Sequence, residues 1–157
     1  MKILVTGGAG YIGSVVTEML VGRGHTVSVL DNLAHGNRRA VHPKAHFLLV
    51  DLLDKPALKE AFEHGGFDAV VHLAAEAAIA DSMINPGLYF RANTVGGVNL
   101  LDCMVAASVK RIVFSSTAAV FGEPKSVPIH EDADKAPVNS YGESKLQFER
   151  TLPWYRS

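Results

Sequence analysis

Five short, mostly apolar runs punctuate the chain: residues 2–6 (KILVT), 26–31 (TVSVLD), 46–50 (HFLLV), 68–73 (DAVVHL) and 111–116 (RIVFSS). They are rich in Val, Ile and Leu with little alternation, the pattern of strands covered by helices on both faces of a parallel sheet. The segments between them follow a helical period instead. Ile12, Val15, Val16, Met19 and Leu20 put one apolar stripe on a first helix, which Gly24 ends. Asp54 caps a second helix carrying Leu58, Ala61 and Phe62. A third runs from about Leu88 to Ala107 with Val95, Val98, Leu101 and Val105 inward. A last one starts near Ser140, where Ser140 and Glu143 have the spacing of a capping box. This alternation predicts an α/β fold, a doubly wound parallel sheet with right-handed crossovers.

Residues 118–139 form the one long irregular stretch, holding Gly122, Pro124, Pro128 and Pro137. Loops of that length in a small domain are generally functional or mobile. A complete dinucleotide-binding sheet has six strands in the order 3-2-1-4-5-6, and five are found. The expectation is one domain over residues 1–157, truncated after its fourth helix. The strand at 111–116 is then an open edge that invites pairing with another chain.

Composition narrows the class. The 157 residues are 48% apolar and 20% charged, with 15 Lys+Arg against 16 Asp+Glu. That is one core's worth of chain, too apolar for a disordered tail and too balanced for an electrostatic nucleic-acid footprint. The single cysteine, Cys103, excludes an intrachain disulfide and a Cys-rich zinc cluster; it reads as a small core residue and suits a reducing compartment. No signal peptide opens the chain, and the longest apolar stretch, 69–80, is interrupted by His72 and Glu76 and falls short of a membrane span. A cytoplasmic domain with no membrane partner is expected. His72 reads as a core histidine, Glu76 and Asp81 as solvent-facing, and no His/Asp/Glu spacing suggests a metal site.

Gly8-Ala9-Gly10-Tyr11-Ile12-Gly13 satisfies G-x-G-x-x-G, and Gly7, Gly10 and Gly13 repeat at a three-residue spacing. Such glycines permit a tight turn, let backbone approach a pyrophosphate and let the helix pack closely on its strand. Alone, the motif is as compatible with an ordinary glycine-rich turn. Here it follows the first strand and opens a helix, and Asp31 closes the second strand 18 residues after Gly13, the context the motif requires. A carboxylate there accepts from ribose hydroxyls and repels a 2′-phosphate, which favours NAD over NADP. Arg38 and Arg39, which could serve such a phosphate, read as solvent-facing. Asp51, ending the third strand, suits the adenine edge, or else only caps the next helix.

Tyr141-Gly142-Glu143-Ser144-Lys145 puts a phenol and an ammonium on one face of the last helix. A phenol titrates near 10 and is a poor base at neutral pH; a nearby Lys⁺ and a positively charged oxidised nicotinamide favour the phenolate. Away from a cofactor the same pair is a helix surface feature. Thr117 follows the fifth strand at the sheet's carboxyl edge, where its hydroxyl suits a substrate oxygen or the local backbone. Ser115 and Ser116 read as structural residues or cofactor neighbours.

Together these segments resemble the UDP-glucose/UDP-galactose 4-epimerases of the extended short-chain dehydrogenase/reductase superfamily. The resemblance rests on VTGGAGYIGS at 5–14, DNL at 31–33, VHLAA at 71–75, NPGLYFRANTVGG at 85–97, FSSTAAVFGEP at 114–124 and NSYGESK at 139–145. It implies a Rossmann fold with NAD as cofactor and a UDP-sugar as substrate. Tyr11 and Ile12 would line the pyrophosphate site, Asp31 and Asn32 hold the adenosine ribose, and Asp51 and Leu52 flank adenine. Leu73, Ala74 and Ala75 would border the cofactor and Asn93 support it, although Asn93 also reads as a buried amide with backbone partners. Thr117, Tyr141 and Lys145 match the catalytic set, in which the tyrosine deprotonates the sugar 4-hydroxyl and the lysine also holds the nicotinamide ribose. Related dehydratases follow this threonine with Asp-Glu; Ala118-Ala119 disfavours that reading. The lobe that grips the UDP-sugar is expected to be absent, impairing turnover by the chain alone. The alternatives are another nucleotide-sugar isomerase, dehydratase or reductase of the superfamily, or a silent NAD-binding module. The expected partner is a second copy, forming a homodimer, or a complementing C-terminal polypeptide.

Overall fold

The computed structural model describes residues 1–155. Each predicted run forms a strand, trimmed by up to three residues: β1 (Lys2–Thr6), β2 (Thr26–Asp31), β3 (His46–Leu49), β4 (Ala69–His72) and β5 (Ile112–Phe114). All pair in parallel, in the order β3-β2-β1-β4-β5. The order reverses between β1 and β4, and the carboxyl ends of two such strands are where open parallel sheets bind ligands. The helices are α1 (Tyr11–Gly22), α2 (Lys55–Gly65), α3 (Ile79–Ile84), α4 (Pro86–Tyr89), α5 (Gly96–Ala106) and α6 (Ser140–Thr151), with a π-helical segment at Phe90–Val95.

The chain divides into two compact units. The first, Met1–Ala74 with Asn99–Ser115, holds the sheet. Leu4 and Val5 are neighbours with no exposed surface. Successive strand residues point to opposite faces, so both faces of β1 are covered, which is why its run shows no alternation. Val27, Val29 and Ala9 share one cluster with Ile3 and Val5, and Leu20 and Val21 of α1 pack against it. Asp54 caps α2 through the Ala57 N–H (3.1 Å), and Leu58 and Phe62 are buried beneath that helix, Phe62 meeting Phe67 edge-on. The second unit is Ala75–Val98 with Ser116 onward. Its core sets the Phe148 ring against Gly97, where a Cβ would lie 2.5 Å from the ring, and buries Tyr89, whose hydroxyl donates to the Ala78 carbonyl (2.6 Å).

Three sequence expectations are corrected. On α1, Ile12, Val15 and Met19 are exposed, and the buried positions are Gly13 and Thr17. At Gly13 the helix meets the Gly7 carbonyl so closely that no larger residue fits, while Leu20 and Val21 pack on the core farther along. The expected third helix is interrupted by the π-helical segment, whose i→i+5 turn breaks the 3.6-residue phase. Val95 and Val105 therefore face outward, while Tyr89, Asn93, Leu100, Leu101, Cys103 and Met104 are buried. Finally, α6 is capped by Asn139, whose Oδ1 accepts from the Gly142 N–H (2.7 Å), rather than by Ser140. Glu143 instead accepts from Gln147 one turn on. Among the described residues no helix is long and apolar enough to cross a membrane.

The turn after β1 has the least room. Gly7 has φ +71°, and a Cβ there would lie 2.6 Å from the Ala74 nitrogen; one at Gly13 would lie 2.1 Å from the Gly7 carbonyl oxygen. Gly22, at the far end of α1, meets nothing within 4 Å. Gly13→Ala should therefore cost more than about 2 kcal/mol in urea unfolding, since backbone must move to admit the methyl. Gly22→Ala should add roughly 0.5 kcal/mol, part of the ~1 kcal/mol gain of a helix interior, because Gly22 closes the helix.

Candidate active site

In the first unit, α1 starts at the glycine turn with Gly10 in extended conformation at its cap. No side chain caps the helix, and its first turn holds no acidic residue. Its leading N–H groups thus form a positive end that no side chain of its own first turn offsets, a ready site for phosphate. Tyr11 and Ile12 stand exposed beside it, at 89% and 60%. A Cβ on Gly10 would meet only the Gly7 carbonyl, at 3.3 Å, so this face of the turn is open.

Asp31 is buried at the end of β2. One carboxylate oxygen accepts from the Ala9 N–H (3.0 Å) and the other from the Leu33 N–H (2.8 Å), which fastens the strand end to the glycine turn. Each oxygen retains acceptor capacity for a hydroxyl. Asn32 spans to the next strand end, donating to Asp51 Oδ2 (2.8 Å) and accepting from the Ala34 N–H (3.0 Å). Asp51 Oδ1 accepts from the Leu53 N–H (2.8 Å), and Leu52 is buried. Arg38 and Arg39 are exposed, and the Arg38 guanidinium lies 4.5 Å from the Phe47 ring centroid. Across the reversal point, the Leu73 N–H donates to the Thr6 carbonyl (3.1 Å) and the Ala74 N–H to Thr6 Oγ1 (3.3 Å). Thr6 Oγ1 also lies 2.7 Å from Nδ1 of His72, which is buried and stacked on Phe114. His72 is a core residue. An uncapped helix end, an open glycine turn and a buried carboxylate with acceptor capacity fit a dinucleotide.

The second unit contains Ala75, Asn93, Thr117, Tyr141 and Lys145. Thr117 caps a short 3₁₀ turn, Ala118–Phe121, accepting from the Ala119 N–H (3.1 Å) and keeping its own proton to donate. The Ala119 carbonyl approaches α6 so closely that a Cβ on Gly142 would lie 2.6 Å from its oxygen, which holds Thr117's turn against the start of the helix bearing Tyr141. Tyr141 is half-buried in the first turn of α6. Lys145 follows one turn later and is only 3% exposed. Burial pushes its pKa down to about 8, opposed by the Glu149 carboxylate a further turn along. Glu149 is itself paired with Lys135 from the irregular stretch.

Asn93 is the buried amide that the sequence allowed. Its Oδ1 accepts from the Glu76 N–H (2.8 Å), and its Nδ2 donates to the Glu76 carbonyl (3.0 Å) and to Ser144 Oγ (2.9 Å). Both amide protons are therefore committed within the protein. Thr94 Oγ1 donates to the Ser144 carbonyl (3.1 Å), and Ser144 Oγ donates to the Tyr141 carbonyl (2.8 Å). Ser144 and Thr94 thus anchor the helix carrying Tyr141 and Lys145. Sequence reading did not single them out; the only available signal was the position of Ser144 inside the Tyr-x-x-x-Lys frame. Ser116 Oγ is buried without a hydrogen-bond partner among the described residues.

Residues 3–157 match the model of the NAD dependent epimerase/dehydratase family. A UDP-glucose 4-epimerase from Lacticaseibacillus casei is 47% identical over 98% of this chain, which corresponds to 46% of that protein. Among solved structures, the UDP-glucose 4-epimerase of Thermus thermophilus in complex with NAD is 42% identical with a TM-score of 0.95, covering 99% of this chain and 50% of that one. The Brucella ovis UDP-glucose 4-epimerase in complex with NAD is 38% identical, also at a TM-score of 0.95, over 98% of this chain and 47% of that one. The chain spans about half the length of the relatives it matches.

The depressed lysine pKa has a measurable consequence. Between about pH 8 and the ordinary lysine value of 10.5 the folded chain binds fewer protons at Lys145 than the unfolded chain. Stability therefore rises with pH across that window, by up to roughly 3 kcal/mol. Urea unfolding should show the wild type gaining on Lys145→Met by this order between about pH 7 and 10.5. A constant difference would contradict a buried charge.

Proposed function

Because the chain belongs to the NAD dependent epimerase/dehydratase family, we propose that it carries the coenzyme-binding and proton-transfer residues of a UDP-sugar 4-epimerase that interconverts UDP-glucose and UDP-galactose. The observation that carries this reading is the buried ammonium of Lys145, one turn from Tyr141 on a helix start anchored by Asn93, Thr94 and Ser144. A buried lysine one helical turn from a tyrosine, its pKa lowered by desolvation, is the kind of group that functional sites use.

NAD would supply, when bound, a hydride acceptor and donor for C4 of the sugar; the residues that would hold it are Gly7, Gly10, Tyr11, Ile12, Gly13, Asp31, Asn32, Asp51, Leu52, Leu73 and Ala74 in the first unit and Ala75, Tyr141 and Lys145 in the second, with Asn93 behind them. The Tyr141 phenolate takes the proton of the 4-hydroxyl and returns it after the sugar has turned over. Lys145, still largely protonated at neutral pH, provides the positive charge that favours the phenolate, and the price of burying it is met in the packing around α6. Thr117, with its proton available, donates to the same sugar oxygen. Asn93 acts at one remove, since its amide protons are already used.

A second reading has the half-length coverage behind it: residues 1–157 form an NAD-binding module whose turnover requires a complementing polypeptide that grips the UDP-sugar, because catalysis here depends on positioning. A single set of assays separates the two. The purified chain is given NAD and UDP-galactose, and UDP-glucose formation is measured. Tyr141→Phe should lower the rate by at least about 100-fold while leaving NAD affinity within roughly three-fold. NAD binding without turnover in the wild type favours the module. Neither binding nor turnover rejects both readings.

A further inference from the structure

The turn between β3 and α2 is tied to α5 by the amide of Asn99. Within the turn, the Asp54 N–H donates to the Asp51 carbonyl (3.0 Å), the Lys55 N–H to the Leu53 carbonyl (3.1 Å), and the Leu53 N–H to the Asp51 carboxylate. These bonds are internal to residues 51–55. The Asp51 carboxylate also accepts laterally from Asn32, itself exposed. The Leu52 carbonyl, at the middle of the turn, accepts from Asn99 Nδ2 of α5 (3.0 Å). One turn along α5, Asp102 pairs with Lys55 (2.7 Å), so two contacts at i, i+3 spacing seat this helix face along the turn. Lys55 and Asp102 are exposed at 55% and 36%, and an ion pair that open to water fixes geometry weakly. The half-buried amide at Asn99 is the stronger constraint.

We infer that Asn99 is a positioning residue for adenine recognition: by fixing the Leu52 carbonyl it holds the Asp51 carboxylate at the angle that accepts from the exocyclic amine of the adenine ring. The inference rests on the reading of Asp51 and Leu52 as the adenine-flanking pair. Each Asp51 oxygen already accepts one hydrogen bond, from Asn32 or from Leu53, and has capacity for one more. A carboxylate so filled can be useful to the amine only along a narrow set of directions, and they are spoiled by a small rotation of the 52–53 peptide, whose carbonyl accepts from Asn99 and whose N–H donates to the Asp51 carboxylate. Asn99 does not touch the ligand in this scheme. Its effect is confined to ligands that present a donor at that ring position.

The test compares NAD with nicotinamide hypoxanthine dinucleotide, which carries a carbonyl oxygen where adenine carries its amine. Both are titrated calorimetrically into the 157-residue chain and into Asn99→Ala and Asn99→Asp; the aspartate keeps the shape of the side chain and removes its donor. The wild type should prefer NAD. In either variant that folds, judged by circular dichroism and melting, NAD affinity should fall roughly three- to ten-fold, the worth of one hydrogen bond. Affinity for the hypoxanthine analogue should change by less than about two-fold. Equal losses for both ligands, or none for either, overturn the inference, as does failure of both variants to fold, which would make the role purely structural. A wild type that binds NAD without preferring it to the analogue overturns the inference while leaving the coenzyme reading intact; one that binds neither removes that reading as well.

Discussion

The first unit is organised around a place that admits no side chain. At residue 7 the chain turns through a left-handed conformation while passing within van der Waals contact of the backbone at Ala74, and Gly13 brings α1 down onto the same peptide. These are contacts of backbone with backbone, the stiffest material in a protein, and they set the distance from helix to sheet. The small residue that opens the inner face of α1 follows from them, since no larger one fits at Gly13. So does the position of Ala9, whose N–H reaches the Asp31 carboxylate and couples the glycine turn to the end of β2. A buried carboxylate is costly unless it is hydrogen-bonded, and here two peptide N–H groups hold it.

The second unit solves a different problem, which is to hold a charged amine out of water. Lys145 lies in the most buried stretch of α6, between Ser144 and Leu146, both almost without exposed surface. A helix end tends to fray, and a buried charge would encourage it. The start of α6 is fastened accordingly: Asn139 caps it, and Asn93 and Thr94 bind Ser144 at side chain and carbonyl. The anchoring residues are neutral, so they fix the helix without neutralising the charge it carries.

Much of this was legible in the chain. The five strands are visible because burial on both faces produces apolar runs that need no knowledge of neighbours, and Asp31 because its place relative to the glycines is fixed by the fold's own geometry. The α2 cap at Asp54 is a local matter and reads locally. What sequence periodicity missed depends on events between distant segments. The apolar residues of α1 could not be assigned to faces without knowing how near the helix lies to its sheet. Steps of 3.6 residues put Val95 and Val105 inward, but the segment before them does not keep that step. The Ser140 cap lost to Asn139, one residue earlier, a competition between two good capping residues that spacing alone does not decide. Asn99 carried no signal, because its partner is a carbonyl, and every residue has one.

The π-helical segment bears on how such a chain tolerates changes in length. Asn93 and Thr94 are consecutive, yet both reach Ser144. In a regular α-helix neighbouring side chains diverge by about 100°, and the wider turn brings this pair round to one target. Excising a single residue from 90–95 would restore an ordinary helix and swing one of the two away; inserting one would turn both. Surface loops absorb insertions and deletions cheaply, but this helix does not, and its residue count is as much a part of its specification as the identities of its side chains. In any set of related chains laid side by side, gaps should gather in 122–138 and avoid 86–99 altogether.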